Sequence, residues 1–436
     1  MKNKYDRRDF LKSTAMIAGA TAIGTAPING VFASNDDTIK IALVGCGGRG
    51  TGAAFQALST KQNLKIVALA DAFRDPLDEC YKRLVARFKD KVDVPEEHKF
   101  VGFDAYEKAI ALADVVLFAT PPGFRPMHFA EAVKQNKHVF IEKPLAVDAP
   151  GIRQVLATAK EAESKKLNVV VGLQRRYQKN YRETIEKIHN GAIGKIQSGQ
   201  VYWNSGGVWV RPRTANQTEM DYQMRNWYYF NWLCGDHIVE QHVHQLDVAN
   251  WVIGGYPVSA QGTGSRAWRT GKEYGEIYDN HAVEFTYADG SVIYSQCRHF
   301  EGTSNRVDET FQGTGGKVYL SASNVGTLWD KDGKEIFNHQ GKGDPNPYQT
   351  EHDELFEAIA KGEYKFADGE RGAKSTFTGI LGRLATYSGQ VLSWDEALAS
   401  DISLMPDKLS WDALPKVLPD ANGLYPYAQP GKTKVI

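Results

Sequence analysis

The sequence predicts an α/β protein in two parts: a doubly wound parallel sheet on the amino-terminal side, followed by an α+β region with a large open, mostly antiparallel sheet. Its 436 residues exceed what one ordinary hydrophobic core organises, which favours two domains. Between residues 39 and 173, short apolar runs alternate with helical patterns, as in βαβ units. Beyond residue 280, apolar and polar residues alternate, as in antiparallel strands with one covered face.

Composition and charge limit the partners of the chain. Its 52 basic side chains are balanced by 52 acidic ones, so no net charge attracts nucleic acid or an anionic membrane surface. A small neutral ligand fits this composition better. The 4 cysteines have no CxxC spacing, which argues against a zinc ribbon or a disulfide framework and favours buried thiols.

Residues 1–33 have the features of an export signal. The Arg7-Arg8 pair precedes a weakly apolar run at 13–31, which is too short and too weakly apolar for a convincing membrane span. A small-residue pattern typical of signal-peptidase cleavage ends at Ala33. The segment resembles a twin-arginine (Tat) signal, which implies that the folded protein is exported to the periplasm of a bacterium without stable membrane insertion. An amphipathic helix or a membrane anchor is the alternative.

The amino-terminal domain, predicted over residues 34–150, follows from the alternation of strands and helices. The predicted strands are 39–44, 65–70, 115–119 and 138–141. The predicted helices between them are 51–58, 105–113 and 125–135. Regular βαβ succession implies a parallel sheet, whose ligands bind beyond the carboxyl ends of its strands. Residues 151–436 are assigned to the second, α+β domain.

A glycine-rich turn follows the first predicted strand without a gap. Gly45 suits a tight turn, Gly47 lets the backbone approach a pyrophosphate, and Gly50 allows close packing of helix on strand. The next helix then offers unpaired N–H groups to the phosphates. The predicted phosphate-binding residues are Gly45, Gly47, Gly48, Arg49 and Gly50. This pattern is typical of an NAD-binding Rossmann domain, and a structural glycine-rich turn is the alternative.

Asp71 ends the second predicted strand. An acidic residue at this position accepts hydrogen bonds from the hydroxyls of the adenosine ribose. Its charge would repel a 2′-phosphate, so NAD is favoured over NADP. Arg74 lies close enough in sequence to weaken that preference.

Two further motifs fall at predicted strand ends. Thr120-Pro121-Pro122 follows the third strand, and Glu142-Lys143-Pro144 follows the fourth. A lysine at this edge can donate a hydrogen bond to a reacting hydroxyl and hold it near the nicotinamide. By position alone, a surface lysine paired with Glu142 is an equal alternative.

Taken in order, these motifs resemble the Gfo/Idh/MocA oxidoreductases, a family that includes glucose-fructose oxidoreductase and inositol dehydrogenase. The resemblance rests on the glycine turn, Asp71, the Thr-Pro-Pro step, His128 ten residues before His138, and the Glu-Lys-Pro step. It implies that Lys143 is catalytic. It also implies cofactor contacts from residues at the strand ends: Thr120, Pro121, His128, Glu142 and Lys143.

Aromatic residues mark the second domain. All 9 tryptophans lie after residue 200, and four of them crowd with tyrosines between residues 202 and 232. Flat aromatic faces beside polar side chains hold sugar rings by stacking and hydrogen bonding, so Trp227 is a predicted substrate contact. A sheet core or a subunit interface is the alternative. An open sheet with an aromatic face usually pairs with another subunit, so we expect a homo-oligomer, either a dimer or a tetramer.

Residues 235–247 predict the most polar helix of the chain. The i, i+4 spacing places Glu240 and His244 on one face, with His237 a turn away as a further substrate contact. A carboxylate beside an imidazole fixes its tautomer and raises its basicity, as a general base requires. The stretch resembles the family's Asp-x-x-x-His element, which implies that His244 takes the substrate proton, with Glu240 in place of the aspartate. A cation held by His237, Glu240 and His244 is the alternative, but no further ligand cluster presents itself, and we predict no metal.

Arg176 and Tyr177 follow a predicted strand at 168–173, where the two domains should meet. This position makes both residues candidate substrate contacts. A solvated basic turn is an equal alternative.

Three functions are compatible with these features. The first is an exported, NAD-dependent oxidoreductase that converts a hydroxyl of a sugar or glycoside to a ketone and holds its cofactor tightly, since no useful pool of free NAD is expected outside the inner membrane. The second is an NAD-dependent glycoside hydrolase similar to family 109, which oxidises its sugar transiently. The third is a non-catalytic dinucleotide-binding protein, against which the presence of Lys143 and His244 argues.

Overall fold

The computed structural model of the protein describes residues 38–436, so the predicted export signal lies outside the described residues. Two sheets follow one another along this part of the chain. A continuous hydrophobic core contains buried side chains from both sheets, for example Val171 of the first and Phe285 of the second. No described helix combines the length and apolarity needed to cross a membrane.

The first sheet contains six parallel strands, which confirms the predicted doubly wound architecture. They are β1 (Ile39–Val44), β2 (Leu64–Asp71), β3 (Lys99–Val101), β4 (Val115–Phe118), β5 (His138–Ile141) and β6 (Val169–Val171). Their spatial order is β3-β2-β1-β4-β5-β6. The order reverses between β1 and β4, and ligands of such sheets bind beyond the carboxyl ends at this switch point. Strand β4 is buried along its whole length because helices cover both faces of the sheet.

Five helices connect or follow these strands. They are α1 (Gly48–Leu58), α2 (Arg74–Phe88), α3 (Ala105–Ala111), α4 (Arg125–Lys134) and α5 (Ala149–Ser164). Helix α1 begins inside the glycine turn, three residues earlier than the sequence predicts. Its first N–H groups therefore lie at the turn itself.

The second sheet is mostly antiparallel, as predicted. Its nine strands are β7 (Ile196–Ser205), β8 (Pro257–Ser265), β9 (Asn280–Tyr287), β10 (Val292–His299), β11 (Arg306–Gly313), β12 (Gly316–Ser321), β13 (Val325–Asp330), β14 (Glu335–Gln340) and β15 (Leu392–Ser393). Only β7 and β10 pair in parallel among these strands. Burial alternates along β10, so one face of the sheet packs on helices and the other is open.

Eight helices belong to the later part of the chain. They are α6 (Lys179–His189), α7 (Glu219–Arg225), α8 (Asn231–Cys234), α9 (His237–Glu240), α10 (Val243–Ile253), α11 (Pro347–Ala360), α12 (Asp368–Ser388) and α13 (Trp394–Ala399). Helix α11 returns to the first sheet, where Leu355 and Phe356 share a buried cluster with Ile41 and Leu43 of β1. Next to it, the Val169 N–H of β6 donates to the Phe366 carbonyl, 2.9 Å away.

The predicted continuous helix over 235–247 is wrong. Gly235 and Asp236 both have left-handed backbone conformations, with φ of 77° and 73°, and they start a single turn, α9. The chain then reorients at Gln241 and His242 before α10 begins. The spacing between Glu240 and His244 is therefore not that of one regular helix.

Candidate active site

Two adjoining cavities lie beyond the carboxyl ends of the first sheet. The smaller one, about 250 Å³, extends from the end of β2 and is called the β2 cavity. The larger one, about 940 Å³, lies between the two sheets and is called the central cavity. Gly47, Thr120 and Pro121, all predicted cofactor contacts, line both cavities.

The glycines of the turn differ in the space around them: some are packed against backbone atoms and others face open space. A Cβ added to Gly45, which has a φ of 96°, would lie 2.6 Å from the Ala119 carbonyl carbon. A Cβ on Gly50 would lie 1.8 Å from the Gly45 oxygen. By contrast, a Cβ on Gly47 would meet no atom within 4 Å, and the same holds for Gly48, which lines the central cavity. The turn thus forms a backbone cradle open to both cavities, as a dinucleotide pyrophosphate requires.

Asp71 lies in the wall of the β2 cavity. Its carboxylate accepts hydrogen bonds from the Cys46 N–H at 2.7 Å and from the Phe73 N–H at 2.9 Å. Burial raises the pKa of Asp71, and the two backbone donors act in the opposite direction. Arg74 does not line the cavity, because its guanidinium binds Asp78 at 2.9 Å and also pairs with Glu96. The carboxylate of Asp71 therefore faces the cavity without a cation from Arg74.

Residues of the later chain contact the walls of the β2 cavity. The guanidinium of Arg225 makes two 3.0 Å hydrogen bonds to Asp75 and lies 4.0 Å from the centre of the Phe73 ring. Trp411, from the irregular carboxyl-terminal segment, contacts the rings of Phe73 and Phe103 at 5.0 and 4.6 Å. These contacts hold the lining residues Phe73 and Phe103 against the later part of the chain.

Trp227 lines both cavities, as do Arg211 and Arg225. The structure therefore places this predicted substrate contact at the boundary between the two cavities. Arg211 and Arg225 were missed by sequence analysis, because their segment has no motif that relates it to the glycine turn.

Two predicted cofactor contacts pair with each other. The Arg49 Nε donates to Glu142 at 2.5 Å, and its Nη2 lies 3.3 Å from Glu351 of α11. Burial, with Glu142 close by, raises the pKa of Glu351 well above its usual value. Arg49 and Glu142 still line the central cavity, but the guanidinium is already shared between carboxylates. Their arrangement fixes the Glu-Lys-Pro step against the glycine turn.

Arg125 joins the other two strand-end motifs. Its guanidinium donates to the carbonyls of Thr120 and Pro144, each at 2.6 Å. The Thr120 hydroxyl lies 3.1 Å from Nδ1 of His128, and burial lowers the pKa of His128 to about 3. His128 is therefore neutral and lines the β2 cavity. Sequence analysis missed Arg125, whose role depends on loops that lie far apart in sequence.

The three predicted catalytic residues converge in the central cavity. The Lys143 ammonium donates to the Glu240 carbonyl at 2.6 Å and to its Oε1 at 3.1 Å. His244 lines the same cavity and stacks on Trp203, with ring centres 5.8 Å apart. Burial, and then the charge of Lys143, lower the pKa of His244 well below its usual value. The carboxylate of Glu240 thus pairs with Lys143 rather than with the imidazole, and the expected increase in the basicity of His244 is wrong.

Three predicted substrate contacts lie outside both cavities. Arg176 makes two 2.8 Å hydrogen bonds to Asp247, and the Tyr177 hydroxyl donates to Asp368 at 3.1 Å. His237 is fully buried on the other side of the α9 turn. Each side chain has a buried ionic or polar partner, so none of the three is brought to the site.

Arg175, rather than Arg176, faces the central cavity. The turn at Gln174–Tyr177 directs it inward, where it pairs with the buried Glu309 and lies 6.0 Å from the Trp203 ring. Tyr348, the second residue of α11, also lines the cavity, and its ring centre lies 5.0 Å from the Arg49 guanidinium carbon. Alternation within a short turn cannot be resolved from sequence, and Tyr348 carried no signal beyond its helix-start position.

Comparison with known proteins agrees with this geometry. Residues 39–171 match an oxidoreductase family described as having an NAD-binding Rossmann fold, and residues 181–319 match the GFO/IDH/MocA C-terminal domain. The inositol 2-dehydrogenase of Rhizobium meliloti (strain 1021) is 24% identical over 275 residues, which cover 62% of this chain and 72% of that protein. A glycosyl hydrolase family 109 protein of Shewanella sp. (strain ANA-3) is 25% identical over 214 residues, 45% of each chain.

Solved structures share the fold at lower identity. A levoglucosan dehydrogenase in complex with NADH and levoglucosan has a TM-score of 0.64 and 16% identity, and the match covers 82% of this chain and 99% of that one. An aldose-aldose oxidoreductase from Caulobacter crescentus has a TM-score of 0.62 and 17% identity, with 82% and 100% covered. The chain therefore belongs to the GFO/IDH/MocA oxidoreductase family, whose amino-terminal domain is an NAD-binding Rossmann fold.

Proposed function

We propose that this protein oxidises a hydroxyl of a sugar or glycoside to a ketone with NAD as its cofactor. The observation that carries the proposal is the convergence of Lys143, Glu240 and His244 in one cavity beside the open glycine cradle. When bound, NAD supplies the hydride acceptor. Asp71 in the β2 cavity supports NAD over NADP, because its carboxylate would repel a 2′-phosphate.

Lys143 is suited to hold the reacting oxygen. An ammonium has three N–H donors, and two of them bind the carbonyl and carboxylate of Glu240. The third remains for a substrate hydroxyl. Glu240 therefore orients the ammonium, and the positive charge of Lys143 stabilises the oxygen as its proton leaves.

His244 is suited to take that proton. Its lowered pKa keeps the imidazole neutral at neutral pH, so a lone pair is available for the hydroxyl proton. Stacking on Trp203 fixes the plane of the ring. A base with a lowered pKa releases its proton readily after each turnover.

The walls of the central cavity support a sugar-type substrate. Trp203, Trp209 and Trp227 offer flat apolar faces, while Arg175 and Asn324 offer hydrogen bonds to hydroxyl groups. A volume of about 940 Å³ lies at the upper end of the usual range for ligand cavities. This volume leaves room for a sugar ring beside a nicotinamide, and the sugar and polyol names of the relatives point to the same substrate class.

A redox-neutral glycoside hydrolase is the second candidate, because one relative is a family 109 glycosyl hydrolase. Both functions begin with the same oxidation, so the same three residues serve either. Product analysis with a panel of pyranosides separates them. A ketosugar with reduced cofactor supports the oxidoreductase, whereas free aglycone without net change of the cofactor supports the hydrolase. If no pyranoside gives either product, both functions are contradicted.

We further propose that the cofactor is held tightly. The Arg225–Asp75 ion pair joins two lining residues of the β2 cavity, where the adenosine would lie, and Trp411 packs on Phe103 in its wall. Slow dissociation follows if these contacts must open before release. Protein prepared without added nucleotide and dialysed extensively should release close to one NAD(H) per chain on denaturation; clearly substoichiometric nucleotide would show an exchangeable cofactor.

Export and assembly complete the proposal. The Arg7-Arg8 signal supports Tat-dependent export to the periplasm, and the open face of the second sheet, with Tyr294 54% exposed, supports a homo-oligomer. Replacing both arginines by lysines should keep the protein in the cytoplasmic fraction.

Light scattering on the mature protein should give a dimer or tetramer, and a monomer at micromolar concentration would contradict the proposed homo-oligomer.

A further inference from the structure

A second cluster of polar residues lies apart from both cavities. Asp236 and His237, at the start of α9, meet His281 of β9 in the interior, and all three side chains are buried. One ligand atom from each lies within 4.8 Å of the others. We infer that these residues bind a divalent transition metal of the zinc class, which ties the turn that carries Glu240 to the second sheet.

His281 has one ring nitrogen near a hydroxyl and the other near a carboxylate. The Thr386 hydroxyl donates to the Arg383 carbonyl at 2.9 Å and can accept from Nδ1–H of His281, also at 2.9 Å. Nε2 of the neutral ring then carries a lone pair. That nitrogen has no hydrogen-bond partner in the part of the chain that the structure describes, and it faces Oδ1 of Asp236 at 3.3 Å. In this tautomer two lone pairs face each other in a dry interior, and a cation bound between them would stabilise both.

The spacing of the three groups suits a metal ion. Oδ1 of Asp236 lies 2.9 Å from Nδ1 of His237 and 3.3 Å from Nε2 of His281. A tetrahedral zinc ion with bonds of about 2.0–2.1 Å sets its ligands about 3.3 Å apart. Both distances from Oδ1 of Asp236 are therefore close to those of a tetrahedral site, and the ligand atoms of the two histidines lie within 4.8 Å of each other.

The surroundings supply the supporting contacts that metal ligands usually have. Oδ2 of Asp236 accepts from the Tyr278 N–H at 3.0 Å and from the Tyr387 hydroxyl at 2.5 Å. Oδ1 accepts from the His237 backbone N–H at 2.5 Å and also faces both histidine rings. Thr386 lies at hydrogen-bond distance from Nδ1 of His281, where the supporting partners of metal-bound imidazoles usually lie. Asp236 also holds a left-handed φ of 73°, an unfavourable conformation that a functional role can explain.

Imidazole ligands favour zinc or a similar ion over magnesium or calcium, which prefer oxygen donors. Cys297 is buried against the His237 ring and pairs with His281 across β9 and β10, so its thiol is the nearest candidate for a fourth ligand. The site is closed to both cavities, so the metal has a structural role and leaves the proposed hydride chemistry unchanged.

Metal analysis of the full-length protein tests this inference without reference to activity. Protein purified without chelator should contain about one zinc-class ion per chain, and a cobalt-substituted sample should show the visible absorption of a tetrahedral site. His281→Gln and Asp236→Asn should each lower the metal content at least fivefold. His352→Gln is the matched control, because His352 is equally buried, also lacks hydrogen-bond partners for its ring among the described residues, and lies outside the cluster on α11.

Chelation of the wild-type protein covers the case in which a variant fails to fold. Prolonged treatment with a strong chelator should lower the unfolding temperature by several degrees, and added Zn²⁺ should restore it. Wild-type protein that contains clearly less than one ion per ten chains, and whose unfolding temperature responds to neither chelator nor Zn²⁺, would overturn the inference. The cation between Asp236 and His281 would then be a proton.

Discussion

The β2 cavity and the central cavity meet at Gly47, yet they are built in opposite ways. The β2 cavity owes its inner wall to a strand end, a glycine turn and Asp71, whose geometry follows from backbone conformation. The central cavity is assembled from side chains of both sheets, held by ion pairs such as Lys143–Glu240. Changes in the first should therefore act on cofactor binding, and changes in the second on chemistry.

The largest effect is expected at the proposed catalytic pair, Lys143 and His244. Lys143→Ala and His244→Ala should each lower turnover by about 10²- to 10⁴-fold, the range for a lost acid-base group. Bound NAD should be retained, because neither residue lines the β2 cavity. Lys134→Ala and His189→Ala, which alter exposed residues, are controls for the general loss of a lysine or a histidine. Near-normal turnover of a catalytic variant would remove that residue from the mechanism.

Two glycines of one turn should respond differently. Gly50→Ala forces a backbone shift, since its Cβ would lie 1.8 Å from the Gly45 oxygen, and should destabilise the fold by about 2 kcal/mol or more. Gly47→Ala has space and should leave the unfolding temperature within a few degrees, but its methyl group enters the cradle and should raise the Kd for NAD about tenfold or more. Thermal unfolding and calorimetric titration measure the two effects. Equal loss of stability in both variants would contradict the backbone cradle.

Asp71→Ala should narrow the preference for NAD over NADP. Loss of hydrogen bonds to a charged group should weaken NAD binding by about 10- to 100-fold, while NADP also gains from the loss of repulsion. Asp78→Ala, outside the cavity, is the matched control. Affinities for both cofactors give the ratio directly. An unchanged ratio in Asp71→Ala would contradict the ribose contact.

The pH profile should show the lowered pKa of His244. Burial and the Lys143 charge disfavour the imidazolium, so the base stays neutral until the pH falls well below 6.5. We therefore expect kcat/KM to decrease on the acid limb of the profile only below about pH 6.5, where His244 becomes protonated. Lys143→Met should move that limb toward higher pH in the residual activity. A wild-type limb at or above 6.5 would be inconsistent with a buried, cation-flanked base.

The smallest effect is expected at Arg74. Its side chain is 48% exposed and pairs with Asp78 and Glu96 away from the cavity. Arg74→Ala should change the free energy of unfolding by less than about 1 kcal/mol, as for surface ion pairs, and leave the NAD to NADP ratio unchanged. A shifted ratio would place this guanidinium at the ribose after all.

Sequence patterns predicted the fold and the local parts of the site. Strand ends, the glycine turn, Asp71 and Lys143 are placed by the backbone periodicity around them, whereas His244 was identified through the family resemblance; the structure puts each on a cavity wall. Sequence patterns could not predict which charged side chains pair with each other. Arg176 and Arg175 differ by one position, and only the packing of Asp247 and Glu309 decides which of them faces the cavity.

The return of α11 to the first sheet sets an order of events during synthesis. Glu351, which binds Arg49 of the glycine turn, follows it by 302 residues, and Leu355 and Phe356 complete the core beneath β1. A nascent chain that ends before α11 has made every cofactor motif but leaves an apolar surface of the first sheet uncovered. The amino-terminal domain is therefore translated first, but its core is completed only when α11 has been synthesised. We expect stable cofactor binding only after most of the chain has left the ribosome.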